Sequence, residues 1–136
     1  MNNLHYGIIG NCRSAALVSK KGSIDWCCLP KFDSPSVFAK ILDDQKGGSF
    51  GFIVDANYTI TQNYLPNTAV LVTKFSNGTD AFEVIDFMPR YRKVDGSYHS
   101  PPEFIRYLKH LSGTPEIRVE YNPKLEYAKG ITTKYI

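Results

Sequence analysis

The sequence predicts an all-β protein: an antiparallel β-sandwich of the supersandwich type with one short helix. About eight or nine short apolar runs follow one another at regular spacing, and turn-forming residues separate them. Only one stretch carries helical periodicity. A chain of 136 residues suits a single domain, here 1–136, which can bury roughly two-thirds of its unfolded surface.

Two hairpins have the plainest turn signals. In the first, the apolar runs 14–18 and 24–29 flank a short loop containing Gly22, a residue that tolerates positive φ. In the second, the runs 69–75 and 81–88 flank Asn77-Gly78, for which a tight type I′ turn is expected. These last two runs are apolar on both faces in places, which predicts central positions in a sheet.

The remaining strands follow from shorter patterns. In the last strand Ile117, Val119 and Tyr121 alternate with charged residues, which predicts one buried face and one wet face. The stretch 89–102 is expected to be a long irregular loop, since it is rich in proline and polar residues. Further strands are predicted at 5–9, 49–54, 58–65, 104–111 and 116–121.

The one predicted helix begins after the strand 24–29. Ser34 is suited to cap it, and Pro35 fits its first helical position. Apolar side chains then recur at helical spacing through Leu42, and Gly47-Gly48 ends the segment. Because it has about two turns, this helix is expected to pack against the sheet.

The run IGNCRSAALVSKKGSIDWCCLPKFDSPSVFAKILDD, residues 9–44, carries a family resemblance. It closely resembles the opening of the bacterial and archaeal trehalase-like and glucoamylase-like enzymes of glycoside hydrolase family 15. Every fixed position of that family's pattern has a match, and Cys27 stands where the family often carries Leu. The stretches 84–90 and 117–130 resemble later parts of the same N-terminal domain.

The resemblance implies a function for the longer parent chain. Enzymes of this family join an N-terminal β-sandwich to an α/α six-fold barrel that carries two catalytic glutamates, an acid and a base, and they invert the anomeric centre. The 136 residues end before such a barrel begins. The chain is therefore expected to be a non-catalytic domain, without catalytic residues of its own, whose partner is the barrel of the same polypeptide.

The candidate substrate-binding residues are Trp26, Phe32 and Asp33. Aromatic faces stack on the apolar face of a pyranose, and a neighbouring carboxylate accepts its hydroxyls, so this segment is a candidate α-glucoside contact at the rim of the barrel's pocket. The alternative reading places Trp26 and Phe32 in the core beneath the short helix. Asp25 and Asp33 are each expected to make local turn bonds, and Asp86 to anchor the long loop.

Composition and charge disfavour several other functional classes. The net charge is +3 without a basic stripe, which disfavours a nucleic-acid partner, and no apolar run is long enough to span a membrane. The start MNNLHYG is unlike a signal peptide, which predicts a cytoplasmic location. The three cysteines are expected to be reduced and buried, although Cys12 could reach one of the others. Neither a metal nor a cofactor is predicted, because ligand spacings are missing.

Two other classes remain open. An independent carbohydrate-binding module would bind sugar as an isolated fragment. A protein-interaction sandwich would self-associate through exposed strand edges.

Overall fold

The computed structural model describes residues 5–134 and confirms the all-β prediction. The chain forms twelve strands and one short helical turn within those residues. The strands are β1 Tyr6–Gly10, β2 Ala15–Ser19, β3 Ile24–Cys28, β4 Ser36–Phe38, β5 Ser49–Ile53, β6 Thr59–Tyr64, β7 Leu71–Ser76, β8 Ala81–Phe87, β9 Tyr91–Arg92, β10 Tyr98–His99, β11 Ile105–Ser112 and β12 Arg118–Asn122.

Two antiparallel sheets form the sandwich. The larger sheet has the order β1-β2-β3-β5-β12, with β4 also paired to β3. The smaller sheet has the order β11-β8-β7-β6, so β7 and β8 are central as predicted. Between the sheets lie the fully buried side chains of the core: Ile9, Val18, Ile24, Phe38, Leu71, Phe75, Phe82 and Val84.

A buried arginine joins the two sheets. The guanidinium of Arg106 in β11 donates from Nε to Oδ1 of Asp86 in β8 at 2.8 Å. It also donates to the backbone oxygens of Phe50 and Gly22 in the larger sheet's half of the sandwich, and it lies over the rings of Phe50 and Phe52. Asp86 thus has a role inside the core, and the predicted role as anchor of the following loop is wrong.

The predicted helix at 34–42 is wrong. Residues 36–38 instead form β4 on the edge of β3, and Phe38 is fully buried in the core. An isolated helix of two turns is marginal, whereas pairing with β3 gives this backbone hydrogen-bond partners and suits Val37 and Phe38. After β4 the chain folds back so that Gly47 packs directly against the backbone of Ala39. A Cβ at position 47 would lie 2.2 Å from the Ala39 oxygen, so only glycine fits there. The helical turn of the structure is Leu125–Ala128, beyond the last predicted strand, and its last three residues have positive φ.

Two loops also differ from their predictions. The segment 89–102 contains the small hairpin β9-β10, with Tyr98 opposite Arg92 and His99 opposite Tyr91. The β7-β8 connection is a loop of residues 77–80, in which Gly78 has a φ of 93° and Asn77 lies outside the positive-φ region. A type I′ turn needs positive φ at both central residues, so that prediction is wrong.

Candidate functional site

The three predicted sugar-binding residues lie in two elements, a strand and the turn that follows it. Trp26 lies in the middle of β3, opposite Leu17 of β2, and its half-buried ring points away from the core. Its ring centroid is 6.2 Å from that of Tyr127 in the C-terminal helical turn. Phe32 and Asp33 lie farther along, in an exposed turn, and Phe32 is 60% exposed. Phe32 is therefore not a core residue, and no helix lies above Trp26 at 34–42.

Hydrogen bonds hold the turn that carries Phe32 and Asp33. The Lys31 N–H donates to Oγ of Ser34, and the Ser34 N–H donates to the oxygen of Lys31. The Phe32 N–H donates to the oxygen of Arg13, which ties this turn to the β1-β2 connection. Ser34 thus closes a turn instead of capping a helix. The result is an exposed tip that presents the Phe32 ring and the Asp33 carboxylate to solvent.

Asn11 fixes the surroundings of this tip. Its side-chain oxygen accepts hydrogen bonds from the N–H groups of Arg13 and Ser14, and its amide donates to the oxygens of Pro89 and Pro101. Pro89 and Pro101 stand at the two ends of the segment that contains β9 and β10. One buried side chain therefore holds both ends of that segment against the β1-β2 connection. The sequence analysis missed this role, although Asn between two strands is a signal for a local side-chain turn.

The hairpin held by Asn11 presents aromatic and basic groups. The Arg90 guanidinium lies 4.0 Å from the centroid of the Tyr98 ring, and the Tyr91 and His99 rings lie 4.9 Å apart. A cavity of 520 Å³ lies between this hairpin and the end of the sandwich. Its lining is mainly apolar with some polar groups, a composition suited to an apolar group that carries a polar substituent. The lining includes Asn11, Cys12, Val70, Phe87, Met88, Arg90 and Tyr91.

The other candidate polar residues have local partners. Asp25 is buried and accepts hydrogen bonds from the hydroxyls of Tyr6 at 3.0 Å and Ser23 at 2.6 Å. Burial of the phenol, together with the neighbouring Asp25 charge, raises the pKa of Tyr6 to about 12. Asp33, in contrast, is exposed. His99 packs on Tyr91, and His110 lies 2.9 Å from the oxygen of Gly113.

The cysteines are all free in the described structure, and two of them are buried. Cys27 and Cys28 are buried in β3, whereas Cys12 is exposed, so the prediction of three buried thiols is wrong for Cys12. Burial raises the pKa of Cys27 to about 12. Residues 5–134 contain no group of three or more His, Cys, Asp or Glu side chains that could hold a metal ion. Among the helical segments of these residues, none is long and apolar enough to cross a membrane.

Comparison with known proteins shows which family this domain belongs to. The family model described as "Trehalase-like, N-terminal" matches residues 4–134. The chain belongs to the trehalase-like N-terminal family. A trehalase of Thermoplasma volcanium is 38% identical over 130 residues, which are 92% of this chain and 20% of that protein. A trehalase of Mycolicibacterium smegmatis is 31% identical over 138 residues, 90% of this chain and 20% of that protein.

A second archaeal relative shares a shorter stretch of this trehalase-like N-terminal domain. Trehalase 1 of Sulfolobus acidocaldarius is 45% identical over 84 residues, 61% of this chain and 14% of that protein. No solved structure matches the chain. The chain thus spans about a fifth of the length of the curated trehalases that it matches over most of its residues.

Proposed function

We propose that this chain is the non-catalytic N-terminal domain of an α-glucoside hydrolase of glycoside hydrolase family 15, of trehalase or glucoamylase type. In this proposal it packs on the catalytic α/α barrel of the same polypeptide, stabilises the barrel and shapes the rim of its pocket. The two catalytic glutamates belong to the barrel, and the reaction inverts the anomeric centre.

The observation that carries the proposal is the extent of the similarity. It runs through nearly the whole of this chain, yet it covers only 20% of the Thermoplasma volcanium trehalase. A domain that is a fifth of the length of the trehalases it matches is suited to a supporting role. Its buried carboxylates support that role: Asp25 and Asp86 are both occupied by internal partners.

The exposed tip supports the contribution to a pocket rim. Phe32 offers an open aromatic face and Asp33 an open carboxylate, while the turn beneath them is fixed by backbone bonds to Arg13 and Ser34. A rigid tip of this composition matches the stacking and hydroxyl-binding chemistry of a sugar site. Trp26 lies apart from this tip, on the outer face of the larger sheet.

The direct test is the size and activity of the natural gene product. An antibody against this chain should detect, in a lysate of the source cells, a polypeptide about five times longer than the 15.3 kDa chain, because the chain is 20% of its relatives. That polypeptide, once purified, should release glucose from trehalose or from a maltose-type α-glucoside. A single product at 15.3 kDa, or a long product without glucosidase activity, would reject the proposal.

A second candidate function, an independent carbohydrate-binding module, rests on the pair Trp26 and Tyr127. The two rings lie 6.2 Å apart on the surface, and Tyr127 is 46% exposed. Titration of trehalose, maltose and isomaltose into the chain, followed by the fluorescence of its single tryptophan, separates the two functions. A supporting domain gives a flat response. A saturable response that Tyr127→Ala abolishes would favour the binding module.

A further inference from the structure

The two sheets of the sandwich end differently on its two sides. On one side the outermost strands meet, since the hydroxyl of Tyr64 in β6 bonds the backbone of Ile8 in β1. On the other side Arg106 of β11 bonds the oxygen of Phe50 in β5, which places β11 above β5. Strand β12 pairs with β5 farther out. Within residues 5–134, no strand of the smaller sheet therefore lies above β12.

Apolar side chains that face the interior are uncovered on that side. Val119 and Tyr121 of β12 stand opposite Phe52 and Phe50, and the Tyr121 ring centroid lies 5.2 Å from that of Phe50. Both nevertheless remain open to solvent, Val119 at 54% and Tyr121 at 45%. Leu108 of β11 is 44% exposed, although the residue opposite it in β8 is fully buried. We call Leu108, Val119 and Tyr121 the open flank.

The backbone of β11 is also free along this flank. The strand is eight residues long and pairs with β8 on one side; the described residues offer it no partner on the other. Folded proteins usually shorten, twist or cover such an edge, because its N–H and C=O groups will pair with another strand. A strand placed beside β11 would extend the smaller sheet over β12. Such a strand would pair the free N–H and C=O groups of β11 and would also cover the open flank.

We propose that the open flank is a site of strand addition, occupied by an extended apolar segment from the part of a trehalase-type polypeptide that follows residue 136. This inference rests on the proposed function, and it names the surface through which the domain joins the remainder of its chain. In such pairing, main-chain hydrogen bonds give affinity and alternate side chains give specificity. Here those alternate side chains would lie on Leu108 and Val119.

Two observations favour this occupant. The relatives carry about four-fifths of their length outside the matched region, so a donor segment is available to them. The described chain also ends beside the flank, since Nζ of Lys134 donates to the oxygen of Tyr121 at 3.1 Å. A second copy is a poorer fit. Strand β11 carries the half-exposed Lys109 and no acidic residue, so pairing with itself would bring like charges together.

The test uses hydrogen exchange on the 136-residue chain with synthetic peptides as the donor. Overlapping peptides, each longer than one strand of about 5–10 residues, would cover the stretch that follows the matched segment in the Thermoplasma volcanium trehalase. The expected result is that at least one peptide slows exchange in β11. Leu108→Lys and Val119→Lys each place a charge under the added strand. Each should lower the affinity of that peptide for the chain by about tenfold or more.

Val94→Lys is the matched control, because it makes the same change at a fully exposed residue of the β9-β10 hairpin and should leave peptide binding unchanged. No protection by any peptide, or equal weakening by Val94→Lys, would overturn the proposal. Protection that appears without peptide and grows with protein concentration would overturn it in favour of a second copy. A long natural product with no peptide protection rejects this inference alone, whereas a 15.3 kDa product rejects the proposed function.

Discussion

The two sides of this sandwich solve the problem of exposed strand edges in opposite ways. At β1 the hydroxyl of Tyr64 accepts a hydrogen bond from the Ile8 N–H at 2.7 Å and donates one to the Ile8 oxygen at 2.9 Å. One side chain thus occupies both backbone groups of an edge residue. At β11 the edge has no strand partner within residues 5–134, and apolar side chains on the inner face of β11 and β12 remain exposed. On the β1 side, therefore, the chain's own side chains satisfy the strand edge. On the β11 and β12 side, we expect a partner segment to do so.

The largest loss of stability is expected on replacing Arg106, which links the two sheets on the side of the open flank. Replacement Arg106→Met leaves Asp86 buried without its partner, which costs about 3–5 kcal/mol of unfolding free energy. Urea denaturation measures the loss. The matched control is Lys109→Met, which removes an exposed pair with Glu83 at 3.8 Å and should cost less than about 1 kcal/mol. Equal losses in the two variants would contradict a central role of the buried pair.

The same variant should acquire a distinctive pH dependence. Burial raises the pKa of Asp86 above its ordinary value of 3.8, and Arg106 opposes that rise, so losing Arg106 raises it further. The folded variant then favours the protonated acid, while the unfolded chain ionises near pH 4. Stability relative to the parent should fall as the pH rises from 4 to 7. A loss independent of pH would indicate that only packing had been removed.

Removing the closure of the other side should have a smaller effect. Tyr64→Phe deletes one hydroxyl and leaves the Ile8 backbone to water, a change of about 1 kcal/mol. Hydrogen exchange at Ile8 should quicken while exchange in β11 stays as it was. Tyr91→Phe, at another exposed ring, is the control and should change neither quantity. If Tyr64→Phe left exchange at Ile8 unaltered, the hydroxyl would not be what closes this edge.

The smallest effect concerns the thiols. Cys12 is exposed and should react with a thiol reagent in native buffer, whereas Cys27 and Cys28 should react only after unfolding. The pKa of Cys27 is raised by burial to about 12 from 9.0, so stability should fall as the pH rises above about 9. Thiol titration with and without urea measures the first expectation. Rapid reaction of all three thiols in native buffer would contradict the burial of Cys27 and Cys28 in β3.

The contrast between the sides also explains what the sequence could predict. Nine of the strands were predicted within about two residues, because alternation and turn residues are local signals. The inward direction of Val119 and Tyr121 was predicted as well, but their burial was not borne out. Alternation reports which face a side chain takes. It does not report whether anything covers that face.

The failures at the tip and in the core have related causes. Residues 34–42 have helical punctuation, yet pairing with β3 decided their conformation. The candidate residues Trp26, Phe32 and Asp33 were predicted as one segment; in the fold Trp26 lies within β3, whereas Phe32 and Asp33 lie in the turn after it. Arg106 and Asn11 gave no strong signal, since their partners lie 20 to 90 residues away in the sequence. Whether Trp26, Phe32 and Asp33 contact sugar stays a prediction.

Hydrogen exchange at the two edges, compared between the 136-residue chain and the longer polypeptide that the proposed function expects, tests the account most directly. In the chain alone, Ile8 of β1 should exchange slowly and the free edge of β11 quickly. In the long product, β11 should become slow while Ile8 keeps its rate, because only the open side gains a partner. Rapid exchange of β11 in both proteins would contradict the claim that the rest of the polypeptide completes this side of the sandwich.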